Sequence, residues 1–491
     1  MGFKADTSFL RFLSMGAAGA NQTMAQLRAA GFQPIELERY CTSNKIWATK
    51  VKRLRLPDIL CVRTGLRVEV RAKSDLRIRM SDAPANPDRR WDVGLADNDL
   101  VAFIACFDRN GTPTPAEAAV FFTVRDLRAT DDTSQLGPPK SASEGAERDR
   151  TWPSIVPSRN GVVESVDGER LRVLMDAEEG RRPRSQTYHL RGKIPYVAPG
   201  ERFVGEASIL AGTPRHLGQL EQYGGNNYDP LANLAAGDPV DRYAAVKALP
   251  YREDLRPRAI AGIEHRLDVE TDDRVALEAA GAGTAIGSAK AGDRLRAVLW
   301  DHERADLRME AVLILTELSS GDAREILNAV ATDERFLQDE IRQAAVWGLG
   351  KAGVHAYDEL VAFIADADRD VALHAIAGFG SDTPGPVIDR LIAELIAGSP
   401  ERAPAASEAL RIIGGAVVLE RLIAAARGRN AADAWILATL GRLPADRVRT
   451  ALQNDVLLER LAPLLLLTES ANWMAEDNVD IDLKFLLKQN L

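Results

Sequence analysis

The chain has 491 residues, 46% of them hydrophobic and 27% charged, with a net charge of −9. That balance excludes a largely disordered polymer and supplies material for about three domains. Three cysteines, Cys41, Cys61 and Cys106, exclude a disulfide framework and fit a reducing cytosol. No apolar run reaches the ~18 residues of a membrane span. Met1-Gly2-Phe3-Lys4 carries no signal-peptide or myristoylation pattern. The expectation is a cytoplasmic protein with no membrane contact.

Residues 1–129 read as a compact α/β unit. Asn21 to Ala30 has helical character and closes at Gly31. Pro34 to Tyr40 alternates like a strand. Pro57 to Val62 is a second strand, Thr64-Gly65 a turn, and Leu66 to Lys73 a third strand. Asp99 to Phe107 and Ala118 to Val124 supply two more apolar strands. Charge is concentrated here: Lys45 to Arg79 holds eleven basic and three acidic residues, a local surplus of +8. In an acidic chain this is the footprint of a polyanion site, or of an Arg-rich solvated surface.

Pro57-Asp58 opens one strand, and Glu69-Val70-Arg71 lies 11 residues on, along the next. These elements, after a helix and within the basic segment, resemble the PD-(D/E)XK nuclease superfamily over about residues 10–128. The resemblance implies that Asp58 and Glu69 converge on Mg²⁺ (or Mn²⁺). Such an ion polarises a phosphate and lowers the pKa of a bound water. A neighbouring cation would orient that water and offset phosphate charge. The family pattern has lysine where this sequence has Arg71, with Lys73 two residues further. Strand alternation puts Glu69, Arg71 and Lys73 on one face, so either Lys73 reaches the site or Arg71 substitutes. Arginine cannot serve as a base, which leaves open a domain that binds DNA without cutting it. The first helix, Asn21 to Ala30, lacks the acid that many members place there; Glu36 or Glu38 stands nearest in sequence. Lys50, Lys52, Arg53 and Arg55 are the expected phosphate contacts. Trp47 and Trp91 either stack on bases or fill the α/β core.

Residues 130–156, poor in apolar side chains, read as a linker. Residues 157–218 read as a small β-barrel: Val162 to Val166 and Arg170 to Met175 flank the Asp167-Gly168 turn, and Thr187 to Leu190 and Arg202 to Ala207 extend the sheet. Residues 219–491 are Ala- and Leu-rich and repeat. Glu340 to Gly350 is the sharpest copy, with Asp306 to Val312, Asp273-Arg274 and Val240 to Val246 before it, and Asp370 to Ala375, Ala405 to Gly414 and Ala434 to Gly441 after it. A period of ~30–35 residues with two helices per unit predicts an α-solenoid. The acid of the motif begins a helix and complements its dipole, and Ala pairs admit close neighbours. The pattern resembles HEAT-like repeats of the phycobilisome-lyase type; with no cysteine in this half, bilin chemistry is not expected. Residues 472–491 read as a capping helix or tail.

The six histidines are scattered without metal spacing, and Gly224-Gly225 lacks the Lys and Ser/Thr of a phosphate-binding loop. The expected fold is therefore multidomain α+β: a nuclease-like domain, a small barrel and an all-α solenoid. The expected function is a Mg²⁺-dependent DNA endonuclease, or nuclease-like subunit, of a bacterial defence or restriction-type system, with the repeats docking a protein partner or DNA. The alternatives are a catalytically inactive DNA-binding scaffold and a pure protein scaffold.

Overall fold

The computed structural model describes residues 7–37, 47–83, 86–109, 112–136, 148–178, 182–318, 320–351, 356–397, 399–427, 433–453, 455–459 and 461. The expected terminal helix at 472–491 and Glu38 lie outside these. The chain forms two compact units. One holds residues 6–41 and 53–282; the other holds residues 1–5, 42–52 and 283–491.

The first unit begins with α1 (Thr7–Ala29), followed by β1 (Pro34–Glu36), β2 (Ile59–Cys61) and β3 (Arg67–Lys73). β1, β2 and β3 form an antiparallel meander. Beyond β4 (Arg79–Asp82), β5 (Leu100–Arg109) returns parallel to β3, with Glu69 beside Val101 and Arg71 beside Phe103. β6 (Thr112–Pro115) and β7 (Val120–Thr123) pair antiparallel with β5, and α2 (Val124–Ala129) follows. Alternation then decides what each sheet face meets. Val68, Val70, Ala102 and Ile104 pack with Leu27 of α1, whereas Val101, Phe103 and Ala105 pack with Trp91, Leu95 and Trp152. Helix α1 is longer than expected. Gly16 and Gly19 weaken its sequence signal, yet a Cβ at Gly19 would stand 2.8 Å from the Ala72 Cβ: the glycine lets the helix lie close on the sheet.

The segment 130–156 is not a simple linker. It carries β8 (Thr133–Leu136), β9 (Arg148–Thr151) and β10 (Ser154–Ile155); β9 lies between β4 and β8 in a three-stranded sheet. Its low apolar content misled because the ladder and the Arg150 contacts to Asp82 (2.8 Å) and Asp132 (2.9 Å) stabilise it, along with Trp152, whose Nε1 donates to Leu127 O. The expected barrel region contains β11 (Gly161–Val166), β12 (Arg170–Met175), β13 (Arg184–His189), β14 (Ile194–Pro195), β15 (Arg202–Phe203) and β16 (Ala211–Gly212). Among the described residues these form two separate sheets, ordered β13-β12-β11-β15 and β10-β16-β14, over one core that includes Val163, Leu171, Val173, Phe203 and Leu210.

Four helices complete this unit: α3 (Pro230–Asn233), α4 (Pro239–Ala248), α5 (Arg256–Val269) and the greater part of α6 (Asp273–Ala285). They were expected to begin the solenoid, but polar contacts join them to the strand domain. Arg67 on β3 reaches Asp99 and, at 2.8 Å, Asp241 of α4, while Arg252 donates to the carbonyls of Val62 and Tyr228. The second unit continues as α7 (Ala289–Asp301), α8 (Ala305–Leu318), α9 (Gly321–Thr332), α10 (Glu340–Leu349), α11 (Tyr357–Phe363), α12 (Arg369–Ala377), α13 (Gly385–Ala397), α14 (Arg402–Ile413), α15 (Gly415–Arg427), α16 (Asp433–Leu440) and α17 (Ala445–Ala451). Ion pairs link alternate elements of the stack: Arg308 of α8 to Asp339 at the cap of α10, and Arg342 of α10 to Asp366 in the turn before α12. Asp339 and Asp368 cap α10 and α12 through their side chains. Among the described residues no helix is long and apolar enough to cross a membrane.

Candidate functional site

The ladder between β2 and β3 pairs Ile59 with Val68. One step earlier this register places Asp58 opposite Glu69, with both side chains toward the same face. The Asp58 carboxylate ends the ladder, accepting the Val70 N–H at 2.6 Å. Glu69, 12% exposed, pairs with Arg71 on its own strand at 2.6 Å. Both acids line a cleft of about 300 Å³ bordered also by Arg55, Arg71, Arg89, Arg90 and Trp91.

The roof of this cleft is a loop held by two devices. Asp82 accepts the Trp91 N–H at 3.2 Å and the Arg150 Nε–H at 2.8 Å. Gly94, at φ +76°, passes so close to residue 55 that a Cβ would stand 2.0 Å from the Arg55 carbonyl oxygen. Those devices bring Arg89 and Arg90 to the acids. Neither arginine was expected from the sequence, whose only local signal is the basic pair itself. Trp91 is 7% exposed and packs edge-on against Trp152, 5.3 Å between centroids; it combines a core position with a place in the cleft wall.

The electrostatics follow from burial. Burial raises the Asp58 carboxyl above its ordinary range, opposed by the positive charge of Arg71 and the Val70 N–H. Burial lowers the Lys73 ammonium to about 8, and repulsion from Arg71 and Arg79 adds to this. Lys73 shares the strand face of Glu69 and Arg71 but is absent from the cleft lining.

The other expected residues divide. Arg55 lines the cleft; Arg53 is half-buried and does not. Lys50 and Lys52 belong to the helical unit, where the Lys50 ammonium folds back onto the carbonyl of Trp47. Trp47 is buried in that same unit, against Trp347 and His374, and so is not part of the α/β core. Glu36 ends β1 opposite Ile59 and is not in the cleft lining.

Asp58 and Glu69 are hard oxygen donors on adjacent strands, a set that fits Mg²⁺ or Mn²⁺ retaining several waters. They do not fit a closed protein cage: among the described residues no group of three or more His, Cys, Asp or Glu is placed to hold a metal. Asp58 must be ionised to ligate, and its burial opposes that ionisation while Arg71 and the Val70 N–H favour it.

No protein-family model matches the sequence, and no curated protein does. Among solved structures, human deoxyhypusine hydroxylase in complex with glycerol is 18% identical over 49% of this chain and 97% of its own, with a TM-score of 0.22. An engineered protein is 17% identical over 52% of this chain and 75% of its own, with a TM-score of 0.23. Likenesses at these scores carry no argument about fold or function.

Proposed function

We propose that the chain is a Mg²⁺-dependent (or Mn²⁺-dependent) DNA endonuclease, or the nuclease-like subunit of a bacterial defence or restriction-type system, in which the helical repeats dock a protein partner. The observation that supports this reading is the pairing of Asp58 and Glu69 across adjacent strands within an arginine-rimmed cleft. Asp58 and Glu69 would hold the ion, which when bound polarises a phosphodiester and acidifies water. Arg55, Arg89 and Arg90 bind phosphate oxygens by charge-assisted hydrogen bonds. Arg71, in the cleft wall, offsets phosphate charge, whereas Lys73, lowered to about 8, shares that strand face but stands outside the cleft lining.

A second reading, a DNA-binding scaffold without cleavage, is favoured by the Arg71–Glu69 ion pair, which already engages one of the carboxylates by an internal cation. Plasmid cleavage in Mg²⁺ and Mn²⁺, beside Asp58→Asn and Glu69→Gln, separates the two. Cleavage lost in both variants, with salt-sensitive DNA binding retained, is the outcome expected of the nuclease. Salt-sensitive binding without cleavage by the unaltered chain selects the scaffold. Cleavage that survives in both variants removes the site assignment.

A further inference from the structure

Residues 42–52 connect β1 to β2, yet they belong to the helical unit, and the chain returns to the strand unit only at Arg53. The described part of this strap is held by three residues of the repeats. Trp47, 1% exposed, meets Trp347 edge-on at 5.9 Å and His374 at 5.1 Å between ring centroids. The next two backbone amides donate to one carboxylate: Ala48 N–H to Glu340 Oε1 at 2.5 Å, and Thr49 N–H to Oε2 at 2.8 Å. Glu340 is not the cap of its own helix. Asp339 fills that role by accepting the Ile341 N–H, which leaves the Glu340 carboxylate to face another segment. Glu340 and Trp347 lie seven residues apart, two turns of α10, and therefore share a face.

We propose that Glu340, Trp347 and His374 form a peptide-binding site for a tryptophan followed by two unpaired backbone amides, filled in cis by Trp47-Ala48-Thr49 and able to take the same motif from a partner protein. Two observations point to an exchangeable occupant. The hydrogen bonds are made by main chain, which any extended peptide offers, so selectivity rests on one indole. That indole is imperfectly held, because Trp47 Nε1 is buried and finds no acceptor among the described residues. The strap keeps its place through its tether, which gives it a high effective concentration at the site. Exchange would release the stretch that leads directly into Asp58. Such exchange is independent of what chemistry the cleft performs.

The test uses a fluorescein-labelled peptide of residues 42–52 and the full chain, read by anisotropy. With the cis anchor removed in Trp47→Ala, the apparent affinity should rise at least about tenfold over the unaltered chain, whose site is mostly occupied. The double variant Trp47→Ala/Glu340→Ala should lose that gain, and a peptide with alanine at the tryptophan should not bind. Equal binding by all three chains places the peptide elsewhere and overturns the proposal, as does no binding by a Trp47→Ala chain that melts cooperatively. If that variant does not fold, hydrogen exchange on the unaltered chain decides. Excess peptide should speed exchange at the Ala48 and Thr49 amides, and unchanged protection at millimolar peptide overturns the site.

Discussion

Asp58 Oδ2 accepts the amide of Val70 at 2.6 Å, one residue beyond Glu69 on the neighbouring strand. The acid proposed as a metal ligand thus also closes the ladder between β2 and β3. Its two roles separate by substitution. Asp58→Asn removes the charge but retains an oxygen for the Val70 N–H; Asp58→Ala leaves that amide without its acceptor, at about 1–3 kcal/mol. Both variants should lose metal-dependent cleavage. Only Asp58→Ala should lower the urea midpoint substantially, and equal midpoints would show that the hydrogen bond contributes little.

Lys73 titrates near 8 in the folded chain against an ordinary 10.5, chiefly through burial. Below pH 8 both folded and unfolded states carry the proton, and the full cost of the buried charge is present. Between the two values the unfolded state binds more protons, so stability rises with pH until about 10.5. Lys73→Met removes this dependence. The stability advantage of Lys73→Met over the unaltered chain should therefore be largest below pH 8 and shrink as pH rises. Parallel urea midpoints for the two proteins across that range would contradict the shift.

The meander and the meeting of Asp58 with Glu69 were legible because both follow from local signals: a turn at Thr64-Gly65 and period-two alternation on either side. The first half of α1 was not, since Gly16 and Gly19 read as poor helix formers, while Gly19 serves the approach of α1 to Ala72. Arg89 and Arg90 reach the cleft through a loop pinned by Asp82 and Gly94, contacts that no short-range pattern encodes. Trp47 was legible as a candidate for burial, but its site was not. The carboxylate that holds the following amides belongs to Glu340, 292 residues from Ala48, and only the folded repeats bring it there.

The Gly94 backbone is the tightest point of the cleft roof. Alanine there must adopt φ near +76°, costing about 1–3 kcal/mol, and its Cβ would overlap the Arg55 carbonyl oxygen at 2.0 Å. Gly94→Ala should therefore lower the urea midpoint and weaken DNA binding together, since the displaced loop carries Arg89 and Arg90. A variant of lowered stability with unchanged DNA affinity would show that these arginines do not contact phosphate.

Arg67 joins β3 to the turn before β5 and to α4. Its side chain, 8% exposed, forms a two-bond fork with Asp99, 7% exposed, at 2.9 Å for each bond, and its Nη1 reaches Asp241 at 2.8 Å. The value of this pair depends on keeping both members. Burial raises the Asp99 carboxyl, and Arg67 counters that effect by hydrogen bonding and by charge. Arg67→Met leaves a buried carboxylate without its guanidinium, a change that typically costs about 3–5 kcal/mol. Because Asp99 would then protonate more readily, the loss should shrink as pH falls and the acid takes up its proton. The double variant Arg67→Met/Asp99→Asn, with no uncompensated charge, should recover part of the loss and show little of that pH dependence. A double variant no more stable than Arg67→Met at neutral pH would mean that the Arg67 contacts to Asp241 and its packing, and not the stranded charge on Asp99, set the cost.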